Sequence, residues 1–526
     1  MDMMSRIQKA HAPGRLILFG LALTVSFVAP ASADEYERIR EKAEEMAVSV
    51  NETVFSAWGE GDDADLERAY NDFGFLLTPS KLEKLDELIG EVSDAPDRVA
   101  ERERTANLIR YHALRSRVAP VLDNCINAQR DNSVLVEGTS IVLRGLDHRT
   151  GLESDRDMRR KWWLAAGKIY SGINVYKRSL LMDLSDHAKL LGYDGFYPFL
   201  REIEGWDIDL IQQTAESILS SSKDSFETEL TALAQSELGL ELRKIRSYDA
   251  DYMFFFPTLS DRVGKTKPLD VARSAFKEFG LDLKKQRTLK VDARDRDGRD
   301  PWARAFPIRN GKVEVTMVPS ERITDVQDLM GALGEAEFYY LIPGDLRFED
   351  SYFGPNIIPS AYHALFELMV EEPAWVAKHI EPKDASATEV ADAFRLRRLR
   401  TIRQAAGDFL FQLQLHTDPR VAPETYNTVM EEALLWKRTG NDADAYLEAN
   451  DDFRSGGELL GYVVAAQIRA ALREQWGENW FENKELAKKL EQGAARGYRQ
   501  SLDEFLAIWG VTGFDAGVLS AELVSN

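Results

Sequence analysis

The sequence has 526 residues, with 66 Lys and Arg against 88 Asp and Glu, a formal charge of −22 and 44% hydrophobic residues. That apolar fraction suits a globular protein with a large core. The acid excess excludes the electrostatics that nucleic acid and anionic lipid demand of a partner. The single cysteine, Cys125, excludes an intrachain disulfide and a thiolate metal cluster. Of the seven histidines, the nearest two are His363 and His379, 16 residues apart, so no zinc motif built on two neighbouring histidines is present.

Residues 1–33 read as a signal peptide. Arg6, Lys9 and Arg15 give a basic start, Leu16 to Ala29 form an apolar stretch of 14, and Ala31-Ser32-Ala33 offers a small-residue cleavage site. Fourteen residues are short against the roughly 20 that a membrane span needs. The chain is therefore expected to be exported, periplasmic or extracellular, and free of the membrane once the leader is removed. From Asp34 it carries 63 basic and 87 acidic residues.

Residues 34–287 show apolar positions recurring at three and four, broken at Gly192 to Gly195 and Gly205 to Asp209, which predicts a helical N-terminal part. Cys125 reads as a buried apolar residue, and Trp162-Trp163 as helix packing. Nothing supports a catalytic pair in Ser222-Lys223. Thr288 to Val291 reads as a short strand. Asp292 to Asp300 resembles a calcium loop only superficially, because its first and twelfth ligand positions hold Ala293 and Arg304. Lys312 to Val318 alternates with Val313, Val315 and Met317 on one side, which predicts a strand. Thr324 to Gln327 has the form of a capping box opening a helix over 324–340. A second helix over 360–371 follows Pro359-Ser360.

The stretch from Arg304 to Trp375 resembles the catalytic core of helical zinc peptidases (gluzincins). The likeness is to the angiotensin-converting enzyme (peptidyl-dipeptidase A) type, and next to the thimet oligopeptidase and oligoendopeptidase F type. In the former, an edge strand ending Val-Thr-Met leads to a helix with His-Glu-x-Gly-His and paired tyrosines. Here Val315-Thr316-Met317 leads to Gly331-Ala332-Leu333-Gly334-Glu335 and Phe338-Tyr339-Tyr340. Gly354-Pro355-Asn356 is similar to the segment opening the helix of the third ligand. Leu191 to Asp194 resembles part of the helical lobe, and Gly461 to Gln467 resembles a cleft-lining helix. The resemblance implies a mostly α, bilobed gluzincin-type fold with a deep central cleft and a small β-sheet. Residues 288–526 would be its degenerate peptidase-like catalytic region.

Hydrolysis at such a site needs three protein ligands on zinc and a carboxylate to deprotonate water. Matched to the family, Gly331 stands for the first histidine, Ala332 for the general base and Glu335 for the second histidine. The third ligand falls at Ala361, or at Ala364 in the other register. The late tyrosines that stabilise an oxyanion fall at Gly457 and Leu460. Zinc is what the family implies, and its ligands are missing, so no cofactor is expected. A rebuilt metal site from Glu335, His363 and Glu367 is the alternative, against an ordinary i,i+4 polar pair of His363 and Glu367.

The expected function is that of an inactive peptidase homologue, a pseudopeptidase holding a peptide or protein ligand. The binding candidates are Val313, Val315 and Met317 on a strand edge, and Tyr362 beside Phe338, Tyr339 and Tyr340. The alternatives are a hydrolase with the rebuilt site and a structural partner acting through its outer surface. The sequence fixes no oligomeric state.

Overall fold

The computed structural model describes residues 31–418, 420–421, 423–439 and 452–524. The basic start and apolar stretch of the expected leader lie outside the described residues. Ala31 opens the first helix, α1 (Ala31–Phe55).

Two long helices follow and pack on one another: α2 (Pro96–Asp131) and α3 (Arg156–Leu190). Pro96 starts α2 at a position whose amide has no helical partner in any case. Asp155 caps α3 by accepting from the amides of Asp157 and Met158. Between them lies an antiparallel hairpin, β1 (Ser133–Val136) and β2 (Thr139–Val142), which interrupts the region read from sequence as helical. Its Glu137-Gly138 turn has positive φ at both residues, the backbone that matches the right-handed twist of the flanking strands.

A second sheet has the order β3-β5-β4, from β3 (Leu289–Asp292), β4 (Arg304–Arg309) and β5 (Lys312–Thr316). β5 runs parallel to β3 and antiparallel to β4, with Val315 opposite both Val291 and Ala305. The strand expected at an edge is thus the central one. Its backbone stays paired beyond the strand, since the amides of Met317 and Val318 donate to Asp292 and Pro301. Pro307 sits on the edge strand β4, where a missing donor is tolerated. α1 lies along β4: Asn51 Nδ2 donates to the Ile308 carbonyl at 3.4 Å, and the Phe55 and Phe306 rings meet edge to face.

Under this sheet run α4 (Thr324–Leu341) and α5 (Ile357–Val370), followed by α6 (Ala387–Thr417), α7 (Arg454–Trp476) and α8 (Ala516–Val524). The expected capping box at Thr324 does not form. Asp325 instead accepts from the Ser320 amide and hydroxyl, and Gln327 donates to the Phe394 carbonyl. The largest core runs from Ala47 to Leu523 and draws on both sides of residue 288. A second core joins α1 and residues 57–88 to α2 from Ala106 to Ile126, and a third lies beneath the hairpin around Trp162 and Tyr170.

The C-terminal helices are tied by buried charge. Arg398 on α6 is bidentate to Glu371, at 2.6 and 3.0 Å, and reaches Glu522 on α8 at 2.7 Å; Arg469 on α7 meets Glu522 at 2.5 Å. The Arg398 and Glu371 side chains are 1% and 3% exposed. Breaking such a pair strands the partner charge. We expect Glu371→Ala to cost about 3–5 kcal/mol in urea unfolding, and Arg398→Met with Glu371→Leu to recover most of it. A loss below about 1 kcal/mol would show that the pair does not anchor α8.

Candidate functional site

α4, α5 and α7 pack together around Gly331, Glu335 and His363. Gly331 faces the His363 ring: a Cβ on Gly331 would come within 2.5 Å of Nε2 and 2.9 Å of Cδ2 and Cε1. Carbon atoms do not approach so closely, so only glycine fits beneath the imidazole at this helical position. The residue that looked merely unconstrained in sequence is the seat of a histidine from the neighbouring helix.

His363 lies between two carboxylates. Its Nδ1 is 3.8 Å from Glu335 Oε2 on α4, and its Nε2 is 3.6 Å from Glu367 Oε1 one turn along α5. The Tyr462 hydroxyl on α7 donates to the other Glu367 oxygen at 2.6 Å. Arg454, the first residue of α7, approaches Glu335 at 3.9 Å. The His363 side chain is 30% exposed and that of Glu335 19%, so the floor still meets solvent there; Glu367 is buried. Three of these groups were singled out in sequence. Arg454 and Tyr462 were not, because no local pattern places α7 over α5.

The charges support one another. Burial works against a charged His363, yet Glu335 and Glu367 outweigh it and lift the imidazole to about 10. Burial also works to raise both carboxyls. For Glu335 it is outweighed by His363 and Arg454, and for Glu367 by His363, Tyr462 and Arg397, which holds both below the ordinary glutamate value. Arg397 is itself anchored by Asp328 on α4, at 2.5 and 3.0 Å.

Zinc, which the fold family implies, does not fit these residues. Ala332 and Ala361 are buried at 0% and 1% exposure where the general base and third ligand would stand. The alternative set of Glu335, His363 and Glu367 is brought together, but each ring nitrogen faces a carboxylate. The oxyanion positions are closed as well. A Cβ on Gly457 would collide with Asn356 Oδ1 and lie 3.0 Å from Trp206, and Leu460 is buried.

The peptide-binding candidates are not at an open edge. Val313 and Val315 are fully buried and Met317 is 2% exposed, because α4 packs on the sheet, while β3 and β4 pair both edges of β5. Met317 does border a hollow of about 370 Å³ with Lys267, Ala293, Pro319 and Asp325. Tyr362 is a core residue whose hydroxyl donates to the Leu490 carbonyl at 2.5 Å. Phe338 and Tyr339 are buried too, and only Tyr340 is half-exposed. Ser222 accepts from Arg403 at 2.6 Å, a packing role, and Cys125 is buried.

No protein-family model and no curated protein matches this sequence. Solved structures do. The chain is similar to BsuCP, a Bacillus peptidase, with a TM-score of 0.61 and 13% identity over 94% of this chain and 98% of that one. It is similar also to a protein assigned as an oligoendopeptidase F from Bacillus anthracis, with a TM-score of 0.59 and 14% identity over 87% of this chain and 81% of that one. At such identities the likeness shows the fold alone, a mostly α architecture shared with these two proteins.

The fit of His363 on Gly331 can be measured. Gly331→Ala should destabilise the protein by about 1–3 kcal/mol through overpacking. In a His363→Ala background the same change should reverse sign and stabilise by about 1 kcal/mol, the ordinary helix gain of Ala over Gly. Equal effects in both backgrounds would place the ring elsewhere. The pH dependence follows from the raised imidazole. Its contribution is complete below the ordinary value of 6.5 and is lost as pH rises through about 10. The stability advantage of the native chain over His363→Gln should therefore shrink steadily between pH 6.5 and 10. An advantage that does not change across that range would exclude a charged ring.

Proposed function

We propose that this chain is a catalytically inactive metallopeptidase homologue that holds a peptide or protein ligand outside the cytoplasm. The observation that carries the reading is the seating of His363 on Gly331, where the first zinc ligand of a peptidase of the angiotensin-converting enzyme type would project. The general base, the third ligand and the late tyrosines are replaced by small or apolar residues at the matching positions, and the second histidine by Glu335. Retaining the fold while closing the reaction centre leaves binding as the activity the architecture supports best. The solvent-facing parts of Glu335, His363 and Arg454 are then the groups that meet the ligand, as charges able to pair with a peptide's own charged and polar groups. The leader at residues 1–33 supports action in the periplasm or outside the cell.

Protein recovered from the exported fraction should begin near Asp34, contain no stoichiometric zinc and cleave no peptide from a mixed library. It should retain peptides from that library, and Arg454→Glu should weaken retention roughly tenfold, a typical loss for reversing one charged contact. The rebuilt metal site is the second reading, favoured by the convergence of Glu335, His363 and Glu367. Stoichiometric zinc lost on His363→Ala would establish it in place of the first.

A further inference from the structure

The start of α2 carries charge that the cleft does not use. Arg98 lies in the first turn of this helix and Arg102 one turn further on, so both project from one face. With Tyr36 and Glu37 of α1, Glu101 of α2 and Arg347 of a later segment, they line a hollow of about 280 Å³.

The three arginines are not equivalent. Arg347 is committed to the two acids, pairing with Glu37 at 3.3 Å and with Glu101, and it reaches the Tyr36 hydroxyl at 3.4 Å. Arg102 is only 3% exposed, and its guanidinium lies over the Tyr36 ring, 4.8 Å from the centroid. Its Nη1 donates to the Leu88 carbonyl, which the amides of Glu91, Val92 and Ser93 leave free at the end of the helix Pro79–Gly90. Among the described residues no carboxylate pairs with Arg102, and its remaining N–H groups have no acceptor. Arg98 is exposed on the same hollow and has no ion pair or hydrogen bond among the described residues.

A buried cation with no anion beside it is costly, and one carbonyl and one aromatic face offset only part of that cost. A cation in the first turn of a helix also opposes the helix dipole, which favours an anion at that end. Both costs fall away when an anion enters the hollow. We propose that this hollow binds a small molecule through a single phosphate group, held by Arg98 and Arg102.

Guanidinium presents paired donors that match the oxygens of phosphate and carboxylate alike. Charge separates the two. A phosphate ester carries close to two negative charges at neutral pH, which two uncommitted guanidinia balance. A lone carboxylate leaves one of them unmatched. Glu37 and Glu101 stand at the rim and disfavour a second anionic group, while their oxygens can accept hydrogen bonds from hydroxyls on whatever carries the phosphate. The same acids, with the acid excess of the whole chain, oppose a bilayer or a nucleic acid, whose phosphates come in arrays.

Isothermal titration of the purified chain with inorganic phosphate, and separately with glycerol phosphate, tests this at constant ionic strength. At least one of the two should bind saturably at one site per chain, and the tighter one tells whether free phosphate or an ester is the ligand. Acetate should bind at least tenfold more weakly than that probe. Arg98→Gln should weaken phosphate binding at least tenfold and leave the unfolding temperature of the ligand-free chain unchanged. Arg102→Lys keeps the charge without the paired donors, and should also lose at least tenfold. Arg98 is exposed, so its result stands whether or not the chain tolerates a change at the buried Arg102. A chain that binds neither phosphate probe saturably overturns the proposal. So does binding that Arg98→Gln leaves intact, or acetate bound as tightly as phosphate. None of these outcomes bears on peptide retention, which tests the cleft reading separately.

Discussion

The floor where α4, α5 and α7 meet depends on keeping buried charge balanced. Glu335 and Glu367 project from two adjacent helices toward the His363 ring. Two carboxylates in such a place repel each other and forfeit hydration, and a burial cost of that kind is met only by a nearby cation. In a zinc peptidase a metal ion serves that purpose. Here the cation belongs to the chain. The His363 ring lies between the two acids, and Tyr462 satisfies the far oxygen of Glu367. An imidazolium needs more room than an ion, and Gly331 supplies it by having no side chain.

The same packing accounts for glycine at both positions 331 and 457. Once His363 lies on α4, a histidine at position 331 has no space, and a side chain at Gly457 would strike Asn356. Gly331 and Gly457 each face a neighbour that fills the space a side chain would need, so both positions are packed. Close packing makes such a rearrangement hard to reverse one residue at a time. Reintroducing a single ligand would overpack the site before it could bind anything.

Much of the fold was legible in sequence because its signals are local. The period of three to four gave the helices, and β5 alternates as a strand should. What was missed depends on pairing between distant segments. The turn at Asn310-Gly311 stood in the sequence as a hairpin signal, and reading it would have supplied β4 and shown β5 to be central. The site was half legible. The absent histidine pair follows from counting, and Glu335, His363 and Glu367 were recognised as a group. That Gly331 is occupied by a ring from another helix has no trace in local spacing. Neither has the Tyr462 contact with Glu367, which spans 95 residues.

The balance of charge also governs how the floor meets a ligand. Glu335 and Glu367 already face the His363 ring, and Arg454 approaches Glu335, so a ligand there competes for groups already paired. The solvent-facing side of His363 and Glu335 is what such a competitor reaches first, while Glu367 is held from behind by Tyr462. Exchange at the exposed pair costs less than exchange at the buried one, because the exposed charges keep part of their hydration.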